Sequence, residues 1–126
     1  MIKLIPAEDK STLNKLCKEY GLEYSECTHA YISADDSLKA VCIFSLDNYS
    51  VEILLVDTDS TDPLIPELLI RAVASYSANR SGYLVSIKNE VGEKIDSTLK
   101  TLRFEKNENS YTNKVPNIMK GSCCRD

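Results

Sequence analysis

Glycine is scarce in this sequence. There are four among 126 residues, and none lies between Gly21 and Gly82. Tryptophan is missing, and His29 is the lone histidine. No apolar run approaches the ~20 residues that a membrane-crossing helix needs, which excludes a helical membrane span. An excess of positive charge is missing too. Fifteen Lys/Arg face nineteen Asp/Glu, for a formal charge of −4. Nucleic-acid binding draws on clustered Lys and Arg, so that class of partner is excluded as an expectation. The opening Met1-Ile2-Lys3-Leu4-Ile5-Pro6-Ala7-Glu8 meets an acid too early for a signal peptide, so the chain reads as cytoplasmic.

What is there fits one soluble globular domain over residues 1–126. A chain of this length buries a sizeable core without disulfides or metals. Its five cysteines are Cys17, Cys27, Cys42, Cys123 and Cys124. An odd number without a secretion signal reads as reduced thiols. Cys17 and Cys42 fall on apolar faces and read as small core fillers. Cys123-Cys124 lacks the two-residue gap and partner ligands of a zinc site, so no metal is expected. It reads as a terminal tail. A lone histidine without a Ser or Cys partner motif reads as structural or solvated.

Along the chain, Leu13, Leu16, Cys17 and Tyr20 follow helical spacing, and Gly21 supplies a stop. Residues Leu22 to His29 fit a short second helix or a loop. Ala30–Ser33, Leu38–Leu46 and Tyr49–Val56 are strand-like and separated by the turns Asp35-Asp36-Ser37 and Asp47-Asn48. They predict an antiparallel meander. A helix then runs to about Asn79, either with Asp62 as N-cap and Pro63 at the first position or from a later start with Pro66 there, and with Leu69, Ala72, Val73 and Tyr76 inward. Tyr83–Ile87 is the next strand, so a β-α-β unit with parallel strands is expected. Val91, Ile95, Leu99 and Leu102 predict one helix from Val91 to Leu102. Phe104 begins a short strand, and Ser110–Met119 reads as the last strand, with Pro116 at an edge or bulge.

This order of elements, over nearly the whole chain, resembles the GNAT N-acetyltransferase superfamily. Ile5-Pro6-Ala7-Glu8-Asp9 resembles the exit from that family's first strand. Leu102-Arg103-Phe104 resembles the Leu-Gly-Phe that closes its fourth helix, with Arg103 in place of glycine. The resemblance implies a mixed α/β (α+β) fold: a mostly antiparallel central sheet with one parallel β-α-β unit, flanked by helices. It implies acetyl-CoA as cofactor, lying in a V-shaped opening between the fourth and fifth strands. In that family the pyrophosphate rests on N–H groups of a Gln/Arg-x-x-Gly-x-Gly/Ala loop at a helix start. Glycines there let the backbone approach, and the helix end offers free donors.

Carried over by position, the loop is Asp57–Glu67. It holds no glycine, arginine or glutamine, and it carries Pro63, Pro66, Asp57, Asp59 and Asp62. The family's helix-four tyrosine falls on Leu99, and its asparagine near Gly92, with Asn89 as a substitute. The resemblance thus implies Leu55, Val56, Asp57 and Asn89 as cofactor contacts in a degenerate site. Glu52 is placed where some members hold a general base. Tyr83 or Tyr111 could supply a hydroxyl to a leaving thiolate. The acceptor would be a small-molecule or protein amine, and a homodimer is compatible. The alternative is an inactive GNAT-like interaction or ligand-binding module. Whether the two parallel strands leave an open gap bears on that choice.

Overall fold

The computed structural model describes residues 3–121. The elements in order are β1 (Leu4–Pro6), α1 (Lys10–Glu19), β2 (Thr28–Ser33), β3 (Ala40–Asp47), β4 (Ser50–Thr58), α2 (Leu64–Ala78), β5 (Leu84–Lys88), α3 (Asn89–Gly92), a 3-10 turn (Glu93–Ile95), α4 (Asp96–Thr101), β6 (Glu105–Lys106), β7 (Ser110–Lys114) and α5 (Val115–Gly121). The strands form one seven-stranded sheet in the order β1-β2-β3-β4-β5-β7-β6. Among the described residues, only β4 and β5 pair in parallel. Every other neighbouring pair is antiparallel. This is the expected mixed α/β fold with its antiparallel meander and parallel β-α-β unit.

Two apolar clusters lie on the two faces of the sheet. One packs α1 through Leu13 and Cys17 onto Ala30, Val41 and Ile43. The larger packs α2 onto Phe44, Val51, Ile53, Val85 and Ile87. Cys17 and Cys42 are buried in these clusters, as their apolar settings predict. Cys123 and Cys124 lie outside the described residues.

Helix α1 ends as its sequence predicts. Gly21 is left-handed, with φ 69°. Its N–H donates to Lys18 O at 3.2 Å, and Leu22 N–H to Cys17 O at 2.7 Å, the paired bonds of a Schellman end. Helix α4 ends the same way, with Arg103 N–H on Lys100 O and Phe104 N–H on Leu99 O. There the left-handed residue is Arg103, at φ 66°. A side chain in that conformation costs about 1–2 kcal/mol. Arg103 therefore occupies the backbone role of the glycine it replaces in the resemblance.

Of the two alternatives for Leu22–His29, residues 22–27 take the loop, fastened where Ser25 N–H donates to Thr28 Oγ1 at 3.0 Å, and Thr28 and His29 open β2. Two expectations change. The helix expected from Val91 to Leu102 is broken into α3, the 3-10 turn and α4. Its backbone leaves the helical region at Ile95, with φ −126° and ψ 32°. Here the ring of Tyr111 presses on Gly92, where an added Cβ would lie 2.4 Å from the ring edge. The Tyr111 hydroxyl also donates to Asp96 at 2.6 Å. Finally, the last strand stops at Lys114. Pro116 is the second residue of α5, where the missing N–H breaks no helical bond. Val115 and Ile118 are buried, and the Ile118 carbonyl accepts from Arg71 of α2. Helix α5 thus lies against α2, so Ile70 and Ala74 are buried while the expected inward residue Ala72 is half-buried.

Candidate functional site

Strand β4 is paired on its β5 side for only part of its length. Ser50, Val51, Glu52 and Ile53 pair with Leu84, Val85, Ser86 and Ile87. Beyond Ile53 no pairing with β5 continues, although β4 runs on to Thr58. The gap is therefore open at its far end and closed at its near end. The strands part at a bulge. On β3, Ile43 pairs with Leu55 and Phe44 with Ile53, so Leu54 has no partner. Such an extra residue bends its strand. Leu54 and Leu55 consequently both pack toward the α1 cluster, and Val56 returns to the α2 cluster.

The alternation of antiparallel bonds tells which groups face the opening. Asp59 N–H donates to Lys39 O, next to the pairs Ala40–Thr58 and Val41–Asp57. Hydrogen-bonded pairs recur every second residue, so Asp57 and Leu55 turn their peptide groups to β3. Val56 and Thr58 turn theirs to the unpaired side. Of the two expected strand contacts, Val56 presents its backbone to the opening and Leu55 does not.

A cleft of about 400 Å³ continues from this edge, between the loop before α2 and the start of α4. Val56, Thr58, Asp62, Pro63, Lys94 and Thr98 are among its walls. A second groove of about 440 Å³ shares Asp62, Pro63, Ser97 and Thr98 with it.

The loop itself is tied up by its own side chains. Ser60 N–H donates to Thr58 Oγ1 at 3.1 Å. Asp62 N–H donates to Ser60 Oγ at 3.1 Å, and Leu64 N–H to Asp62 Oδ1 at 3.0 Å. Ile65 N–H goes to Asp62 O. Short polar side chains make such two-residue turns readily. Asp62 thus caps α2 as its sequence predicts, with Pro63 already in helical conformation at φ −66°. Pro63 and Pro66 have no N–H. A diphosphate placed here would meet Asp62 and few free donors, so the loop does not fit that group. Lys94 is the single cation among the described residues lining the adjoining cleft.

Asp57 also lines this cleft, but its carboxylate is engaged by α1 and by the residue before β3. Its carboxylate accepts from Tyr20 Oη at 2.7 Å and pairs with Lys39 Nζ at 3.3 Å. The Tyr20 hydroxyl foremost, with Lys39 adding, holds its carboxyl below the usual range against the opposing effect of partial burial. Asn89 also has a structural partner set. Its amide donates to Glu108 O at 2.7 Å and Asn107 O at 3.4 Å, gripping the turn between β6 and β7. Its N–H donates to Asn109 O.

Glu52 is half-buried on the paired part of β4, beside Ser45 of β3 and Ser86 of β5 in register. It shares that face with Thr112, opposite Ser86. Leu99, where the resemblance places a tyrosine, is fully buried. Tyr111 gives its hydroxyl to Asp96, which lowers the Asp96 carboxyl and raises the Tyr111 phenol. Tyr83 is exposed at the other end of β5, beside Lys114.

His29 joins a separate aromatic group with Phe44 and Tyr76. Its Nδ1 lies 3.1 Å from Tyr76 Oη. Burial first, and Arg80 second, push its imidazole below the ordinary value. A smaller cleft of about 230 Å³ reaches this pair at the edge of β2. No local sequence signal joins residues 47 apart.

No protein-family model matches the sequence, and no curated protein matches it. Solved structures do. A protein of the GNAT acetyltransferase family from Desulfovibrio desulfuricans superposes with a TM-score of 0.67 at 7% identity, over 91% of this chain and 99% of the other. The Escherichia coli protein YhhK, bound to coenzyme A, gives 0.66 at 10% identity, over 90% and 98%. The E. coli GNAT-family N-acetyltransferase YhbS, in complex with CoA, gives 0.58 at 10% identity, over 95% and 85%. The chain therefore has the GNAT fold.

Proposed function

We propose that this chain is a GNAT-fold ligand-binding module with a degenerate cofactor site, rather than an ordinary acetyl-CoA-dependent transferase. One observation carries the reading. The amides of Ser60, Asp62 and Leu64, at the start of α2, already have acceptors within their own loop. A phosphate there would displace three intact hydrogen bonds and approach the carboxylate of Asp62. Two unit charges of one sign cost about 1 kcal/mol at 4 Å even in water. A fold does not carry its usual activity with it, and the site decides.

Acetyl transfer is the second reading, and the free edge of β4 at Val56 favours it. On that reading Glu52 takes the proton from a small-molecule or protein amine, and Val56 and Thr58 hold the donor chain. Leu55 and Asp57 contribute less, since their polar groups already have partners, and Asn89 has its amide N–H groups engaged but its Oδ1 buried without a partner among the described residues.

The test is calorimetric titration with acetyl-CoA at low salt, paired with release of free thiol in the presence of a panel of amines. No heat at high micromolar concentration and no thiol release are expected. Saturable heat accompanied by turnover would replace the binding-module reading with the transferase reading.

A further inference from the structure

We infer that the cleft at the free edge of β2 is a binding site for a small organic ammonium ion, separate from the β4–β5 opening. Thr28 lies in register with Ser45 of β3, and Ser45 with Glu52 on the paired half of β4. The opening begins only beyond Ile53. The two sites therefore sit toward opposite ends of the sheet. The sequence leaves the β2 edge uncovered. Strand β1 is three residues long and ends at Pro6, opposite Tyr31. Strand β2 has already begun at Thr28. Past Pro6 the chain bonds Ala7 N–H to Ala30 O at 2.9 Å and then turns into α1. On the other side is the loop 22–27, tied to Thr28 through Ser25. The space between them is the cleft of about 230 Å³. Cys27 O accepts from Leu46 N–H, so Cys27 and His29 turn their peptide groups to β3. Thr28 and Ala30 turn theirs to the free edge. The Thr28 N–H is taken by Ser25 O at 3.1 Å, and its carbonyl is left to face the cleft.

Two features of the walls select an organic cation. The first is a set of acceptors. Glu8, from the exit of β1, and Glu26, from the loop, both line the cleft. Neither carboxylate has an ion pair or hydrogen bond among the described residues. Lys10 also lines the cleft and pairs with neither. An ammonium group brings one positive charge and several N–H donors, which match the two carboxylates and the Thr28 carbonyl. The second feature is a wall of rings. Tyr24, His29 and Tyr76 line the same cleft. Tyr76 Oη lies 3.1 Å from His29 Nδ1, and the Phe44 ring backs both at 5.6 Å between centroids. Aromatic rings attract alkylammonium groups through their negative faces. Tyr76 already shows that affinity, since the Arg80 guanidinium stacks 3.6 Å from its ring centroid. Burial first, and Arg80 second, hold the His29 imidazole below its ordinary value, so the wall adds no charge of its own near neutral pH. Buried Leu13 and Ala30 line the cleft beside the rings and suit the ligand's hydrocarbon body. A metal ion gains nothing from such walls, and no metal-holding group of three or more His, Cys, Asp or Glu occurs among the described residues. The volume is below that of drug-sized pockets, which keeps the ligand small.

His29 is the lone histidine, so its ring signals in an NMR spectrum report on this cleft alone. The experiment titrates the protein with phenethylamine, with its neutral counterpart 2-phenylethanol and with the anionic 3-phenylpropionate at neutral pH and low salt. Phenethylamine is expected to shift the His29 ring and the Glu26 and Thr28 amides saturably. It should bind at least about tenfold tighter than the alcohol, with the acid weakest of the three. The double variant Glu8→Gln with Glu26→Gln should weaken the amine about fivefold or more and leave the alcohol unchanged. Both positions are exposed, and circular dichroism checks that the variant is folded. Amine and alcohol binding within about threefold of each other overturns the inference. So does amine binding that survives the double variant, and so do shifts that miss the His29 ring. Absence of a saturable shift with every probe at millimolar concentration overturns it as well. None of these outcomes touches the reading of the β4–β5 opening, which stands or falls on its own titration with acetyl-CoA.

Discussion

Strand β4 meets two environments, and Leu54 divides them. From Ser50 to Ile53 it is paired on both sides, and Val51 and Ile53 are buried beneath α2. From Leu55 to Thr58 it is paired on one side only, and its residues are half-buried. The first half is held by apolar packing, with Val85, Ile87 and Leu69 around it. The second is held by polar ties: Tyr20 and Lys39 on Asp57, and Thr58 Oγ1 on Lys39 O at 2.7 Å. Packing stabilises by kilocalories per side chain, and exposed polar ties by fractions of that. One strand therefore has a rigid root and a compliant end, and the compliant end is the one that meets the cleft.

Mutations distinguish the halves. The largest effect is expected from Ile53→Ala, which empties a fully buried site and should lower unfolding stability by about 2–5 kcal/mol. A urea midpoint that barely moves would dissolve the contrast at its strong side. Gly82→Ala comes next. Its Cβ would lie 2.7 Å from Ser77 Cβ and 3.1 Å from Val51 Cγ2, so crowding of about 1–3 kcal/mol is expected at the same root.

At the compliant end, Tyr20→Phe removes one hydrogen bond from a partly exposed carboxylate. The expected loss is about 1 kcal/mol, and it should depend on pH. Asp57 has a lowered carboxyl in the folded state, so its contribution is present above the ordinary carboxylate value of about 3.9 and is lost as pH falls through the folded value. Stability measured from about pH 2 to pH 6 should fall less steeply toward acid in Tyr20→Phe, since the depression comes mainly from that hydroxyl. Equal acid slopes would detach Tyr20 from Asp57. The smallest effect is expected from Ser60→Ala, within about 0.5 kcal/mol because the loop is exposed. Its readout is faster hydrogen exchange at the Asp62 amide.

Much of this architecture was legible because it is written in local periodicity and punctuation. Gly21 marks the end of α1, Asp62-Pro63 marks the start of α2, and alternating apolar residues mark β3 and β4. Errors arose where a distant contact overrides the local pattern. Val91, Ile95, Leu99 and Leu102 have good helical spacing, yet Tyr111 on β7 reaches Gly92 and Asp96 and breaks the run. Val115 and Ile118 are three apart with a proline between, a helix signal hidden by the preceding strand. At the site, the absence of glycine in Asp57–Glu67 was visible. The hydrogen-bond relay through Thr58, Ser60 and Asp62 was also latent there, since alternating short polar residues favour two-residue turns. The partners of Asp57 and Asn89 were not legible. Tyr20 and Glu108 are 37 and 19 residues away from them, and nothing local announces either contact.

The bulge at Leu54 also explains why the opening exists without anything to wedge it apart. Strand β3 has eight residues and β4 has nine, joined by a tight turn at Asp47-Asn48-Tyr49-Ser50. In a crystal, an extra half-row of atoms is an edge dislocation, and the lattice splays on one side of it. The sheet behaves alike: one surplus residue sits between Phe44 and Ile43, and the mismatch emerges as divergence from β5. The gap is thus a matter of counting. Removing Leu54 would leave Ile53, Leu55 and Val56 in unbroken alternation on the faces they already occupy, and the surplus that parts β4 from β5 would be gone.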